Sequence, residues 1–297
     1  MLDHRFNTFL VVTKHLSYTH AARELFITQP AVSQHIKYIE DKYDIKIFNY
    51  QGRNLSLTKE GEILLRYVQE LNVIDTQFIE KIVGLKREIK QIRFGATLTI
   101  GEFSMEGFLK EIYDTFNDYQ IAIHIDNTRT LLKMLKSGDI KFALIEGLIN
   151  KSEYNVRSLK LEDFVMVVSP DNSISNKSNV DLNDILSNNI IVREKGSGSR
   201  DILEKGLDER NLTFNDFSSI IEIGNINLIK TMTKNNLGIT FLYKDAVIAD
   251  VNNGDLAIVE VNGFKLIREF NFVTMKNSLI VDETEVFYHF IKDKLSS

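Results

Sequence analysis

A chain of 297 residues, 43% apolar and 26% charged, has the composition of a soluble globular protein and enough length for two or three cores. No apolar run approaches the roughly 20 residues of a membrane span, and with no cysteine there are no disulfides, thiolate nucleophiles or thiolate metal sites. The net charge of −5 is unevenly spread: residues 1–58 hold seven Lys/Arg against five acids, a balance of +2 that leaves −7 for the rest. Four of the six histidines, His4, His15, His20 and His35, also lie in this segment. Such asymmetry suits an N-terminal module that faces phosphates and an acidic body that faces away. The basic excess is modest, so useful affinity for a polyphosphate requires more than one copy. The start, Met1-Leu2-Asp3-His4-Arg5-Phe6, does not read as a signal peptide, which predicts a cytoplasmic protein.

Phe6, Phe9, Leu10, Thr13 and Leu16 form one stripe of a first helix. The stretch Ser17–Glu40 then reads as two short helices joined by a tight turn. Ser17 or Thr19 caps the first, whose inner side is Ala21, Ala22 and Leu25; small alanines let a second helix cross closely. Phe26-Ile27 turns the chain, Thr28 caps the second helix, and Pro30 sits in its first turn, where a missing N–H costs nothing. Val32, Ile36 and Ile39 face inward, which turns Gln29, Ser33, Gln34 and Lys37 outward as donors and acceptors for base edges and phosphates. A solvated helical hairpin would explain the polar face, but not the paired alanines, the capped turn and the amide-rich surface together.

With Ser17, Ala21-Ala22, Leu25, Gln29-Pro30-Ala31, Ser33, Ile36, Glu40, Phe48, Leu57-Thr58 and Gly61, the segment Phe9–Gly61 resembles the N-terminal domain of LysR-type transcriptional regulators. The resemblance continues more loosely to the C-terminus. It implies an α/β protein with an N-terminal winged helix-turn-helix over 1–58, a linker and dimerisation helix over 59–89, and a two-lobed effector-binding domain of periplasmic-binding-protein type over 90–297. Lobe I would take about 90–160 and 267–297, and lobe II about 161–266. Asp44 stands where the family usually has glycine, Tyr50 where it has arginine, and Gln34 where it has a basic residue. Asp tolerates a left-handed turn; the other two changes remove phosphate contacts.

Strand-like runs Ile45–Tyr50 and Asn54–Leu57, joined by Gln51-Gly52-Arg53, predict a hairpin wing, with Arg53 placed to enter the minor groove. In the helix that Thr58 starts, Leu64, Leu71, Phe78 and Leu85 recur every seven residues, with Tyr67, Ile74, Ile82 and Ile89 alongside. That is a coiled-coil seam, and it predicts a dimer through this helix, with further assembly to a tetramer.

From Gln91 short strands alternate with helices, the pattern of parallel α/β sheets. Strands are expected at 92–96, 120–126, 142–145, 164–168, 189–192, 219–223, 239–242, 256–261 and 268–274, with helices at 99–116, 131–136, 200–210, 226–234 and 283–294. The resemblance puts the two crossings between lobes near Ser158–Glu162 and Gly263–Ile267.

Ligands of open α/β sheets bind beyond the carboxyl ends of strands, at helix N-termini. Three such ends carry hydroxyls: Thr97 and Thr99, then Thr128 after Asn127, then Ser197, Ser199 and Arg200 in Gly196-Ser197-Gly198-Ser199-Arg200. Each alone reads as helix capping; together they predict a pocket for a small anion, with Arg193 as a further contact or a surface charge. The glycine-rich loop lacks the Gly-Lys-Thr/Ser ending of a nucleotide loop.

No catalytic elbow, zinc-protease motif or His/Asp cluster at metal spacing is present, so no enzyme, cofactor or metal is expected. Glu146 and Glu222 are carboxylates that nothing in the sequence brings together. Two other functions compete with an effector-responsive regulator of promoter DNA. A two-lobe solute-binding protein requires a signal peptide and leaves residues 1–89 unexplained; a small-molecule enzyme requires catalytic groups that are not found.

Overall fold

The structure, a computed structural model, describes residues 3–51, 54–84, 90–276 and 281–296. It divides into two compact units, the first chiefly residues 1–87 and the second chiefly 88–297.

In the first unit the helices begin and end where their caps dictate. Helix α1 (His4–His15) starts on Asp3, which accepts from the Arg5 N–H, and ends as Leu16 turns left-handed at φ 47°. Its buried side is Phe6, Thr8, Phe9 and Val12. Leu16, expected on the inward stripe, is exposed instead, because the left-handed turn carries it off the helix face. Helix α2 (Tyr18–Glu24) is capped by Ser17 and α3 (Gln29–Tyr43) by Thr28, with Pro30 in the first turn. Ala21, Ala22, Val32, Ile36 and Ile39 are buried in one core with Phe9 and Val12. Asp44 ends α3 in the left-handed region (φ 51°, ψ 48°).

Strands β1 (Phe48–Gln51) and β2 (Asn54–Leu57) pair antiparallel as the wing. The wing starts three residues later than its β-propensity suggests. The Ile45 N–H goes to the Glu40 carbonyl at 3.1 Å, and the Ile47 N–H to the Glu40 carboxylate at 2.9 Å. The expected minor-groove residue, Arg53, lies outside the described residues.

Helix α4 (Lys59–Gly84) follows Thr58, whose hydroxyl accepts from the Gly61 N–H at 2.9 Å. Leu64, expected in the dimer seam, and Val68 are buried in the core of their own unit. The first turns of α4 therefore serve the helix-turn-helix. Further along, Phe78, Ile79 and Ile82 are exposed; Leu85 and Ile89 lie outside the described residues.

The second unit is a mixed α/β sheet. Its first half holds β3 (Lys90–Ala96), β4 (Tyr119–Ile125) and β5 (Phe142–Glu146), which are mutually parallel. Helix α5 (Leu109–Thr115), helix α6 (Thr128–Ser137) and the terminal α11 (Val281–Ser296) accompany them. The second half holds β7 (Asn189–Val192), β8 (Ser219–Glu222) and β9 (Ile239–Tyr243), again parallel. It carries α7 (Leu182–Ile185), α8 (Gly198–Asp208), α9 (Ile226–Lys234), α10 (Lys244–Asn252) and the short β10 (Ala257–Val259). Two long antiparallel strands, β6 (Tyr154–Val168) and β11 (Leu266–Met275), belong to both halves. They change register between Phe270 and Asn271, opposite Ser158–Lys160. The sheet order is β4-β3-β5-β11-β6-β9-β7-β8, with β10 on β6.

Helices α7 and α10 are not expected from the sequence, and two further elements depart from expectation. The single helix predicted over 99–116 is a π turn (Ile100–Ser104), a 3₁₀ turn (Glu106–Phe108) and α5. Gly101 packs so closely on Ile125 that a Cβ would fall 2.9 Å from its Cδ1, and the Met105 N–H reaches back to Ile100 at 2.8 Å. The strand predicted over 164–168 begins ten residues earlier, at Tyr154, because β11 pairs along its whole length and overrides the weak local propensity of Asn155–Lys160.

Candidate functional site

The outer face of α3 follows from its caps and its buried side. Thr28, Gln29, Pro30, Gln34 and Lys37 are exposed, and Ser33 is half-buried. Thr28 Oγ1 accepts from the Ala31 N–H at 3.3 Å, and Gln29 Nε2 donates to Ser33 Oγ at 3.0 Å, so the first turn presents an ordered polar edge. His35 points the other way: its Nδ1 lies 2.9 Å from Thr8 Oγ1 and its ring stands edge-on to His4. Burial, and then the charges of His4 and Arg5, hold the pKa of His35 below its usual value. Between α2 and α3, Phe26 is 95% exposed at φ 55°. The sequence assigns Phe26 to the turn, as found, but does not mark its exposure or its left-handed backbone.

In the second unit Thr97, Thr99, Thr128, Ser197, Ser199 and Arg200 are all buried, as are Arg193 and Glu146. The sequence had left Glu146 unassigned, and it is the group around which the threonines gather. It ends β5, an otherwise apolar strand (Phe-Ala-Leu-Ile), and its carboxylate accepts from the hydroxyls of Thr97 and Thr99. Thr128 Oγ1 donates to the Glu146 carbonyl at 3.3 Å. Burial pushes the Glu146 carboxyl up to about 7, against the pull of its own backbone N–H and the field of Arg193.

Capping does not account for these hydroxyls. Thr99 and Ser197 precede helical turns without bonding to them, and Asn127, rather than Thr128, accepts from the Thr130 N–H at 3.0 Å. Ser197 and Ser199 lie on the far side, their hydroxyls 3.4 Å apart. Arg200 donates to Glu204 at 2.8 Å, Glu222 at 2.6 Å and the Arg193 carbonyl at 2.9 Å. The guanidinium of Arg193 forks onto Glu194 at 2.8 and 3.0 Å. Glu146 and Glu222, unplaced by sequence, thus belong to separate clusters.

The two halves meet over this cluster. The Arg129 N–H donates to the Gly196 carbonyl at 3.2 Å, and Asn127 Nδ2 to Glu194 Oε1 at 3.3 Å. Gly147 (φ 123°) and Gly198 touch: a Cβ on Gly198 would lie 2.3 Å from the Glu146 carbonyl. Tyr243, at the carboxyl end of β9, is buried with its hydroxyl unpartnered among the described residues. Burial, and then the charge of Glu146, raise its pKa.

Two family models match this architecture: "Bacterial regulatory helix-turn-helix protein, lysR family" over residues 4–62, and "LysR substrate binding domain" over residues 86–296. The chain belongs to the LysR family of transcriptional regulators. This LysR-type regulator is 24% identical over 295 residues to the HTH-type transcriptional regulator CysL of Bacillus subtilis, covering 98% of this chain and 96% of that one. Its fold is similar to that of CrgA, a LysR-type transcriptional regulator from Neisseria meningitidis (TM-score 0.57, 17% identity, all of both chains). It is also similar to the Synechocystis CcmR regulatory domain in complex with 2-PG (TM-score 0.62, 16% identity, 69% of this chain and 96% of that one). The family is one of regulators and not of enzymes, and no helix among the described residues is long and apolar enough to cross a membrane.

Glu146 and Tyr243 are the functional candidates that sequence reasoning missed. The signal for the first was present: a carboxylate closing an otherwise apolar strand at its carboxyl end. None marked Tyr243, whose isolation depends on the crossing of β6 and β11.

Proposed function

We propose that this LysR-type regulator reads promoter DNA in the cytoplasm through Thr28, Gln29, Pro30, Ser33, Gln34 and Lys37, with Arg53 from the wing, and that its DNA-bound form changes when a small anionic metabolite enters the second unit. The reading keeps the divisions 1–58, 59–89 and 90–297. The observation that carries it is the exposed, ordered polar edge of α3 over an aliphatic underside, which suits entry into a major groove. Phe78, Ile79 and Ile82, exposed on α4, support a dimer joined there and extending to a tetramer, which would set two reading helices on one palindromic site.

For the ligand, support comes from hydroxyls at three strand ends of an α/β sheet and from the N-terminus of α8, the kind of place where anions bind. The 2-PG complex of a domain with this fold is consistent with a small ligand. A ligand shifts the equilibrium only through its difference in affinity for the two arrangements of the halves. The test is a gel shift on DNA from beside the chain's own gene, with and without candidate carboxylates and phosphates. A salt-sensitive, sequence-dependent shift that one of them alters is the expected result. Equal binding to operator and random DNA would overturn base reading, and a shift indifferent to every ligand would overturn effector control.

A further inference from the structure

The charges where the two halves meet do not form a site for a bare anion at Glu146. Arg193 is neutralised by the fork onto Glu194, Arg200 is outweighed by Glu204 and Glu222, and the Arg129 guanidinium lies on the other side, against Gly196. Glu146 has only hydroxyls and its own backbone N–H to accept from, and no cation within salt-bridge distance among the described residues. Among the charged groups whose fields reach it are Arg193 and Glu194, which carry opposite signs and are paired with each other; Tyr243 feels its charge in turn. A buried carboxylate with no counter-ion is costly, and anything that brings positive charge to it relieves that cost. At the carboxyl end of β9 the buried Tyr243 hydroxyl, which feels the charge of Glu146, has no partner among the described residues, an unmade hydrogen bond.

We propose that the ligand of this cleft presents an ammonium group to Glu146, so that the site takes a small amino acid rather than a plain carboxylate. This rests on the reading above that the cleft is where the effector binds. The acid end of the ligand then meets the hydroxyls of Ser197 and Ser199 at the N-terminus of α8, and the ammonium end meets Glu146 and the free Tyr243 hydroxyl. Both ends of a zwitterion are matched, and the buried carboxylate of Glu146 gains a counter-ion. A dicarboxylate or a phosphate would instead bring a second negative charge beside the first. Entry requires the Gly147–Gly198 contact and the Arg129–Gly196 bond to part, so ligand binding and the relation of the two halves are coupled.

The test uses the full chain and matched pairs that differ only in the amino group: glutamate against glutarate, aspartate against succinate, and alanine against propionate. Each is titrated by calorimetry at pH 6 and pH 8. The expected result is that the amino member of at least one pair binds about tenfold more tightly or better than its partner at pH 8, the scale of one charge-assisted hydrogen bond. Glu146→Gln should narrow that gap to near equality. Tyr243→Phe should weaken binding without lowering thermal stability, because the lost hydroxyl has no partner to leave behind.

Three outcomes overturn the proposal. One is a deaminated acid that binds as well as its amino counterpart. Another is an acid whose affinity falls from pH 6 to pH 8, which would mean an anion entering with a proton on Glu146. The third is silence from every pair. The wild-type comparison stands even if Glu146→Gln fails to fold. An amino acid that binds through Glu146 yet leaves DNA binding unchanged would keep this inference and remove the effector reading. A deaminated acid that alters DNA binding would do the reverse.

Discussion

The hydroxyl of Thr97, one residue past β3, donates to the carboxylate of Glu146, the last residue of β5, and both are sealed from water. Burial outweighs that bond and raises the Glu146 carboxyl from 4.5 to about 7. An acid with a raised folded pKa holds its proton in the native state while the unfolded chain has lost it. Native stability therefore falls as pH rises from about 4.5 to about 7, and is level on either side. The size is of order 3 kcal/mol for a shift of this kind. Urea unfolding of wild type and Glu146→Gln across pH 4.5–8 should show the variant gaining on wild type through that window. Parallel curves would mean that Glu146 titrates normally.

Gly198 lies against the Glu146 carbonyl with no room for a methyl group. Gly198→Ala would force backbone apart where the two halves of the sheet meet, at a cost of about 1–3 kcal/mol, the usual scale for overpacking. Its denaturant midpoint should drop while far-UV circular dichroism stays native. An unchanged midpoint would mean that the contact opens freely in solution.

The helix-turn-helix is legible in the sequence because its determinants are local. Caps at Ser17 and Thr28, proline in the first turn, small residues at the crossing and an aliphatic period of 3.6 are each read within a few positions. Strands β7 and β9 are legible for a similar reason, as apolar runs between turns. The full length of β6 is not, because pairing with β11, about a hundred residues away, decides it. The six hydroxyl and guanidinium residues expected to hold an anion are all buried, but Thr97 and Thr99 bond a carboxylate of the chain itself, Glu146, and Arg200 bonds two others, Glu204 and Glu222. Only the fold brings the end of β5 under the end of β3.

Phe26 combines a left-handed backbone with an almost fully exposed ring, so it pays for strain without gaining burial. Asparagine tolerates that conformation better. Phe26→Asn should stabilise the N-terminal unit by about 1 kcal/mol, seen as a rise of a few degrees in Tm. A fall in Tm would mean that the ring is packed in solution.

Gln29 donates to Ser33 across the first turn of α3, so the two act as one polar edge. Ser33→Ala or Gln34→Ala should weaken binding to operator DNA by about 1–3 kcal/mol while leaving binding to random duplex nearly unchanged, because base contacts specify and phosphate contacts do not. Lys37→Ala should weaken both equally and flatten the salt dependence. Fluorescence anisotropy on the two duplexes at several salt concentrations separates these outcomes. Equal losses for Ser33→Ala would place that hydroxyl on the backbone instead.

Helix α4 divides its work along its length. Leu64 and Val68 sit in the core beneath the helix-turn-helix, whereas Phe78, Ile79 and Ile82 are exposed. Large exposed side chains one turn apart on one helix are a surface for a second copy. The double substitution Phe78→Glu with Ile82→Glu should therefore halve the mass measured by sedimentation. It should also weaken operator binding, since each half-site would then be held by one reading helix alone, while the N-terminal core stays folded. Leu64→Ala should act in the opposite way, lowering stability by about 2–5 kcal/mol through a cavity in that core, without placing a charge at the seam. A double variant that still sediments as the wild type would move the dimer contact off α4, and with it the geometry that pairs the two reading helices.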